Sequence, residues 1–266
     1  MPGGSDVSSR GNGATSGGAQ RVRIGDEEAL IASSGDLAIA LDVLHGQHDR
    51  AVLEQLGDNV RTLLHDPVSL RMILKSLSPD DQAHLIQSLG GELPAILREA
   101  SSLRDILAFL SVVEVEEQLL HAIGAAGLRR LIQSADELAE VVEWCYGEVD
   151  ELLLDLLGPQ HLRWLCRTGA GISAILRSLS GPLQEHFVEA VGWETIEGCV
   201  RDGRDLALLM RALPPQLSSD LVDRYDVGAL VHLIGNPTDW RYLRERLEAG
   251  EAEHLFDRLK EVLDAP

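Results

Sequence analysis

The sequence predicts an all-α fold, an α-solenoid (superhelix) of about seven 34-residue repeats, each of two to three short helices, and three observations predict it. Gly57, Gly90, Gly124, Gly158 and Gly192 recur at intervals of 33, 34, 34 and 34 residues, with Asp226 in the next slot and Gly25 about one period before. Two apolar columns keep the same interval: Leu37, Leu70, Leu103, Leu138, Ile172, Leu206 and Trp240, and the pairs Val52-Leu53, Leu85-Ile86, Leu119-Leu120, Leu153-Leu154, Phe187-Val188, Leu221-Val222 and Leu255-Phe256. In the middle of a unit, apolar residues fall at i, i+3, i+4 and i+7, as in Ile172, Ile175, Leu176 and Leu179 or Leu206, Leu209, Met210 and Leu213, which is one stripe of a helix.

Residues 1–22 are Gly/Ser-rich with almost no large apolar side chain and cannot offset their ordering entropy by burial, so a disordered tail is expected there. Residues 23–266 are expected to form a single α-helical repeat domain whose first and last units act as caps. The polar stretch HGQHDR (45–50) marks the first cap, and the charge-rich run from Arg241 to Asp264 marks the last. Between the caps each unit reads as three short segments, in the fifth unit HLRWLC (161–166), ISAILRSL (172–179) and LQEHFVEAV (183–191). Breakers separate the second segment from the third: Ser78-Pro79, Gly147, Gly181-Pro182 and Pro214-Pro215. Proline suits the start of the following helix, where its missing N–H costs nothing, and the periodic glycine suits the position just after a helix. Helices this short are marginal alone, so each must be stabilised by its neighbours.

Of the 266 residues, 45% are apolar and 4% aromatic, and 23 Lys plus Arg face 43 Asp plus Glu for a net charge of −20. The β-branched and aromatic enrichment of sheet proteins is missing. Cys145, Cys166 and Cys199 are odd in number and lack metal-ligand spacing, which argues against a disulfide framework and structural zinc and for a reducing, cytoplasmic location. No stretch approaches eighteen consecutive apolar residues, so no membrane insertion is expected. A strongly negative chain repels phosphate backbones, so direct nucleic-acid binding is not expected and basic protein partners are favoured.

The phrases ILKSLSPDDQAHLIQSLG (73–90), ILRSLSGPLQEHFVEAVG (175–192) and LMRALPPQLSSDLVDRYD (209–226) resemble the short-helix repeats in the N-terminal domain of magnesium transporters and in the flagellar motor switch protein. The shared pattern is an apolar pair, a leucine, a proline-containing turn and another apolar pair, covering about half of each unit. The resemblance implies an armadillo-like superhelix serving as a regulatory or docking part, and it carries over no metal-binding carboxylate. The unit also matches the transcription-activator-like effectors in length, but it lacks their glycine-rich base-reading loop and has the opposite charge.

No catalytic, cofactor-binding or metal-binding residues are expected. GAAG (124–127) and GAG (169–171) lack the Lys-Ser/Thr of a phosphate loop and read as helix breaks. His84, His186 and His254 share a column, read as polar and partly exposed rather than as metal ligands. One residue after the second apolar pair stand Gln87, His121, Asp155, Glu189, Asp223 and Asp257, so four successive units place a carboxylate at one point. With packed helices about 10 Å apart, this is either a solvated face or a ladder suited to an extended basic segment. Acidic runs at Asp80-Asp81, Glu114/Glu116/Glu117 and Glu148/Asp150/Glu151 open the third segments, where the helix dipole suffices to explain them. Trp164 and Trp193 lie beside the core columns on adjacent units and either anchor a partner or bridge repeats.

The sequence thus points to a non-enzymatic helical-repeat scaffold or adaptor that binds a basic protein segment through Asp155, Glu189, Asp223, Asp257, Trp164 and Trp193. The alternative is an acidic effector or inhibitor that mimics nucleic-acid charge, its Ser/Gly tail serving as a non-classical secretion signal.

Overall fold

The computed structural model describes residues 19–24, 27–44, 48–145, 147–247 and 249–263. Most of the tail expected at 1–22 and half of the polar stretch at 45–50 lie outside them. At residue 20, however, the chain is already structured. Strands β1 (Gln20–Ile24) and β2 (Glu27–Ile31) pair antiparallel, with Val22 opposite Ala29. This two-stranded sheet departs from the helix-only expectation, and its cause is a short period-two pattern. Val22 is buried between exposed Arg21 and Arg23, and Ile31 is buried beside exposed Leu30. Five-residue strands carry too little pattern to stand out against a 34-residue repeat.

The helices follow in order. The first pair is α1 (Ser34–Leu44) and α2 (Asp49–Leu56). A triplet of α3 (Asn59–Leu63), α4 (Pro67–Ser76) and α5 (Pro79–Leu89) is next. After a 3-10 turn at Gly90–Glu92 come α6 (Leu93–Leu97), α7 (Ala100–Leu107), α8 (Val113–Leu131), α9 (Ala135–Val142) and α10 (Glu148–Leu165). The chain continues through α11 (Gly169–Ser178), α12 (Gly181–Val191), α13 (Trp193–Gly198), α14 (Gly203–Ala212) and α15 (Pro215–Asp223). It closes with α16 (Val227–Leu233), α17 (Pro237–Arg246) and α18 (Ala249–Leu263).

The periodic glycines sit where the third helix of one triplet meets the first of the next. Gly57, Gly90, Gly124, Gly158 and Gly192 all have positive φ, and Gly124 and Gly158 bend α8 and α10 sharply. Their ψ values, such as 160° at Gly158, lie outside the left-handed helical region expected of a helix-ending glycine. The combination is reserved for glycine, and it turns the chain within one residue. At Gly158 room is a second demand, because a Cβ would stand 3.2 Å from the guanidinium of Arg129.

The middle helices pack in series, α1 on α4, α4 on α7, α7 on α9, α9 on α11, α11 on α14 and α14 on α17. The third helices do likewise, α2 on α5, α5 on α8, α8 on α10, α10 on α12, and α15 on α18. Both apolar columns supply this core. Leu37, Leu70, Leu103, Leu138, Ile172 and Leu206 are all fully buried, as are Leu119, Leu120, Leu153, Phe187 and Leu221. Trp240 breaks the column at 41% exposure: α17 is the last middle helix among the described residues, and the indole meets Phe256 of α18 at 5.1 Å instead. At the other end the hairpin covers the first pair, β1 against α2 and β2 against α1. Gln55 of α2 bonds both the N–H and the carbonyl of Arg23 at 2.9 Å, which satisfies that part of the strand edge.

Side-chain caps repeat with the core. Asp66, Ser134, Thr168, Asp202 and Asn236 each accept a backbone N–H in the first turn of α4, α9, α11, α14 and α17. The GAG run is therefore no break. Gly169 and Gly171 form the first turn of α11, where added Cβ atoms would meet Asp205 and Ala135 at 2.9 Å. They are small because neighbouring middle helices approach closely there.

Candidate functional site

The four carboxylates of the acidic column, Asp155 on α10, Glu189 on α12, Asp223 on α15 and Asp257 on α18, are all exposed. Three of them already hold a partner within the chain. Asp155 lies 3.0 Å from Nε2 of His186 on α12, and Asp223 lies 3.1 Å from Nε2 of His254 on α18. Arg258 approaches Asp223 at 3.4 Å, and Lys260 approaches Asp257 at 2.9 Å. Glu189 makes no ion pair among the described residues, because the position corresponding to His186 and His254 is Asp220 in that unit. His186 and His254 thus have a local role, tying α12 to α10 and α18 to α15. An imidazole neutralises a carboxylate only when protonated, so these pairs leave the stripe negative whenever the ring is neutral.

The two tryptophans differ. Trp193 opens α13, half-buried, with the guanidinium of Arg224 4.9 Å from its ring centre and Arg224 held by Glu197 at 3.2 Å. This ties the start of one triplet to its end, α13 to the C-terminus of α15. Trp164, on the second part of α10, is 41% exposed. Its ring stacks on His161 at 5.2 Å, and the Arg167 guanidinium lies 4.4 Å from its centre.

A third column was missed by sequence reasoning. One position in the first turns of the third helices is occupied in turn by Asp49, Gln82, Glu116, Asp150, Gln184 and Ser218. Gln82 donates to the Leu74 carbonyl at 2.8 Å, and Gln184 donates to the Leu176 and Ala212 carbonyls at 2.6 and 3.2 Å. An amide here adds a donor to carbonyls near the ends of the middle helices. Glu116 and Asp150 stand at the same point, only 1% and 7% exposed. Glu116 Oε2 and Asp150 Oδ1 are buried and find no hydrogen-bond partner among the described residues.

Burial is the leading cause that pushes the Glu116 carboxyl up to about 7, with the neighbouring Asp150 charge adding to it. Burial pushes Asp150 up to about 6. Asp49 is raised for the same reason, with Asp81 second. The Cys145 thiol is likewise raised by burial and by both Asp150 and Glu116. The helix dipole therefore accounts for the exposed members of the acidic runs and not for Glu116 and Asp150. The signal in the sequence was a polar residue at one fixed offset in successive units.

Cys145, Cys166 and Cys199 are buried and unbridged, and Cys199 Sγ donates to the Cys166 carbonyl at 3.3 Å. Among the described residues no group of three or more His, Cys, Asp or Glu is placed to hold a metal ion, and no helix is long and apolar enough to cross a membrane. No known family model, curated protein or solved structure matches the chain.

Proposed function

We propose that the chain is a non-enzymatic scaffold or adaptor, an α-solenoid of seven repeated units that docks a basic segment of a protein partner along its acidic stripe. The observation that carries this reading is the recurrence of an exposed carboxylate at one position of α10, α12, α15 and α18, on helices that keep the 34-residue interval. Serial packing of the middle helices supports a superhelical stack of the armadillo-like kind. Glu189 is its free rung, and Asp155 and Asp223 recruit imidazoles that a guanidinium or ammonium from a partner would displace. Three buried thiols suit a reducing, cytoplasmic setting.

The test is binding of a labelled Arg/Lys-rich peptide to the full chain and to an Asp155→Lys/Glu189→Lys variant. Affinity should fall by about tenfold or more, with a steep dependence on salt, while the helical circular dichroism stays the same. Equal affinity of the two proteins would remove the acidic stripe from the binding site.

A further inference from the structure

In a chain of net charge −20, residues 118–135 and 156–184 contain no Asp or Glu. They do contain Arg129, Arg130, Arg163, Arg167 and Arg177. The two stretches are brought together where α8 packs on α10. Among the described residues none of these guanidiniums makes an ion pair with a carboxylate. Arg129 donates to the Leu157 carbonyl at 2.8 Å and Arg163 to the Val191 carbonyl at 2.9 Å. Arg167 donates to the Trp164 carbonyl at 3.1 Å, and Arg177 donates to the Ser173 hydroxyl at 2.7 Å. Elsewhere the pattern reverses: Arg61, Arg104, Arg204 and Arg224 all reach carboxylates. Arg129, Arg163 and Arg167 are held here by backbone carbonyls rather than by carboxylates, which leaves their charge open to a carboxylate from outside.

The same seam is concave. A cleft of about 370 Å³ is lined by Arg129, Gln133, Gln160, His161 and Trp164. A second, of about 330 Å³, continues past Trp164 to Arg167 and Thr168, and its lining includes one carboxylate, Asp136. Gln133 and Trp164 line both, so the two clefts adjoin at the indole. Gln160 is exposed and offers a donor and an acceptor to an extended backbone.

We propose that this seam, centred on Trp164, is a docking groove for an acidic peptide segment of a protein partner, with an apolar side chain of that segment against the indole and its carboxylates beside Arg129 and Arg167. Charge complementarity selects the occupant. With a Debye length of about 10 Å, a short acidic segment responds chiefly to the cations beside it, whereas a long polyphosphate strand would run past them onto the acidic surface of the neighbouring units. The groove lies on the first helices of the triplets and the loops after them, whereas the acidic stripe lies on the third helices, so the proposal stands apart from the basic-partner reading.

The experiment is a fluorescence-anisotropy titration of the full chain with a labelled peptide in which Glu alternates with Leu around a central Phe. Binding should weaken steeply with added salt and fall by about tenfold in Arg167→Glu and in Trp164→Ala. The milder Arg167→Gln should fall between, and Arg21→Glu, a reversal at the far end of the chain, should change nothing. Asp155→Lys/Glu189→Lys should also leave this affinity intact, so the two surfaces fail separately. The proposal is overturned if the peptide does not bind at low salt, if folded Arg167→Gln and Trp164→Ala bind it as the parent does, or if the Lys counterpart of the peptide binds equally. A single-stranded oligonucleotide that displaces the peptide at lower concentration would also overturn it.

Discussion

Replacing Glu116 by Gln should make the protein more stable, and by an amount that grows with pH. Its carboxyl is 1% exposed, with Oε2 lacking a partner among the described residues, at a position where Gln82 and Gln184 hold helix-end carbonyls. Burial, with the Asp150 charge second, lifts its titration from 4.5 to about 7. In the folded chain the proton is retained over that interval, whereas an unfolded chain has released it. Stability from this group is therefore complete below about pH 4.5 and is lost as pH rises through about 7. At about 1.4 kcal/mol for each pH unit, the loss by pH 8 approaches ~3 kcal/mol. An amide does not ionise and keeps the donor, so Glu116→Gln should match the parent near pH 4.5 and exceed it at pH 8 by up to that amount. For a chain of this size that is roughly 6–12 °C in melting temperature. Urea unfolding of both proteins at pH 5 and pH 8 measures it. A difference between variant and parent that is the same at both pH values would refute the claim that a buried, proton-holding carboxyl sits there.

Three further substitutions probe the frame around the surfaces. Gly158→Ala should destabilise by about 1–3 kcal/mol in chemical denaturation, since φ is +72° and the new Cβ would stand 3.2 Å from Arg129. Thr168→Ala should cost about 1 kcal/mol, because Thr168 Oγ1 accepts the Gly171 N–H at 3.0 Å in the cap of α11. Leu138→Ala, fully buried in the middle-helix column, should cost about 2–5 kcal/mol, and a value near zero would mean that α9 is not packed as described.

What the sequence disclosed follows from what a period can encode. A column of leucines at one interval admits one explanation, burial against the next unit, and Leu37 through Leu206 are buried as that demands. The glycines disclosed where the chain turns, but not how, since several backbone conformations require φ above zero and only coordinates distinguish ψ near 160° from the helix-ending value. Polar columns were harder to read. Asp155 and Glu116 are both carboxylates repeated on third helices, yet one is exposed and the other buried. The difference lies in which side of the helix each occupies relative to its neighbours, and charged residues are so seldom buried that composition argues for the wrong one. The hairpin was obscured for another reason, because its pairing is local and obeys no long interval.

In a repeated architecture the period itself carries the fold, so function has to be sought in the units that depart from it. Glutamine is the residue whose chemistry fits the buried polar column, and Glu116 and Asp150 replace it at a cost in stability above neutral pH. Carboxylates are spread through the chain, and most of the lining of the groove at Trp164 comes from two stretches, 118–135 and 156–184, that contain none. The substituted positions and the groove fall in the same part of the chain, on α8 and α10. Glu116 and Asp150 lie before the bends at Gly124 and Gly158 and the proposed groove after them, so the pH dependence of peptide affinity, compared between the parent and Glu116→Gln, measures whether the two are linked across those bends.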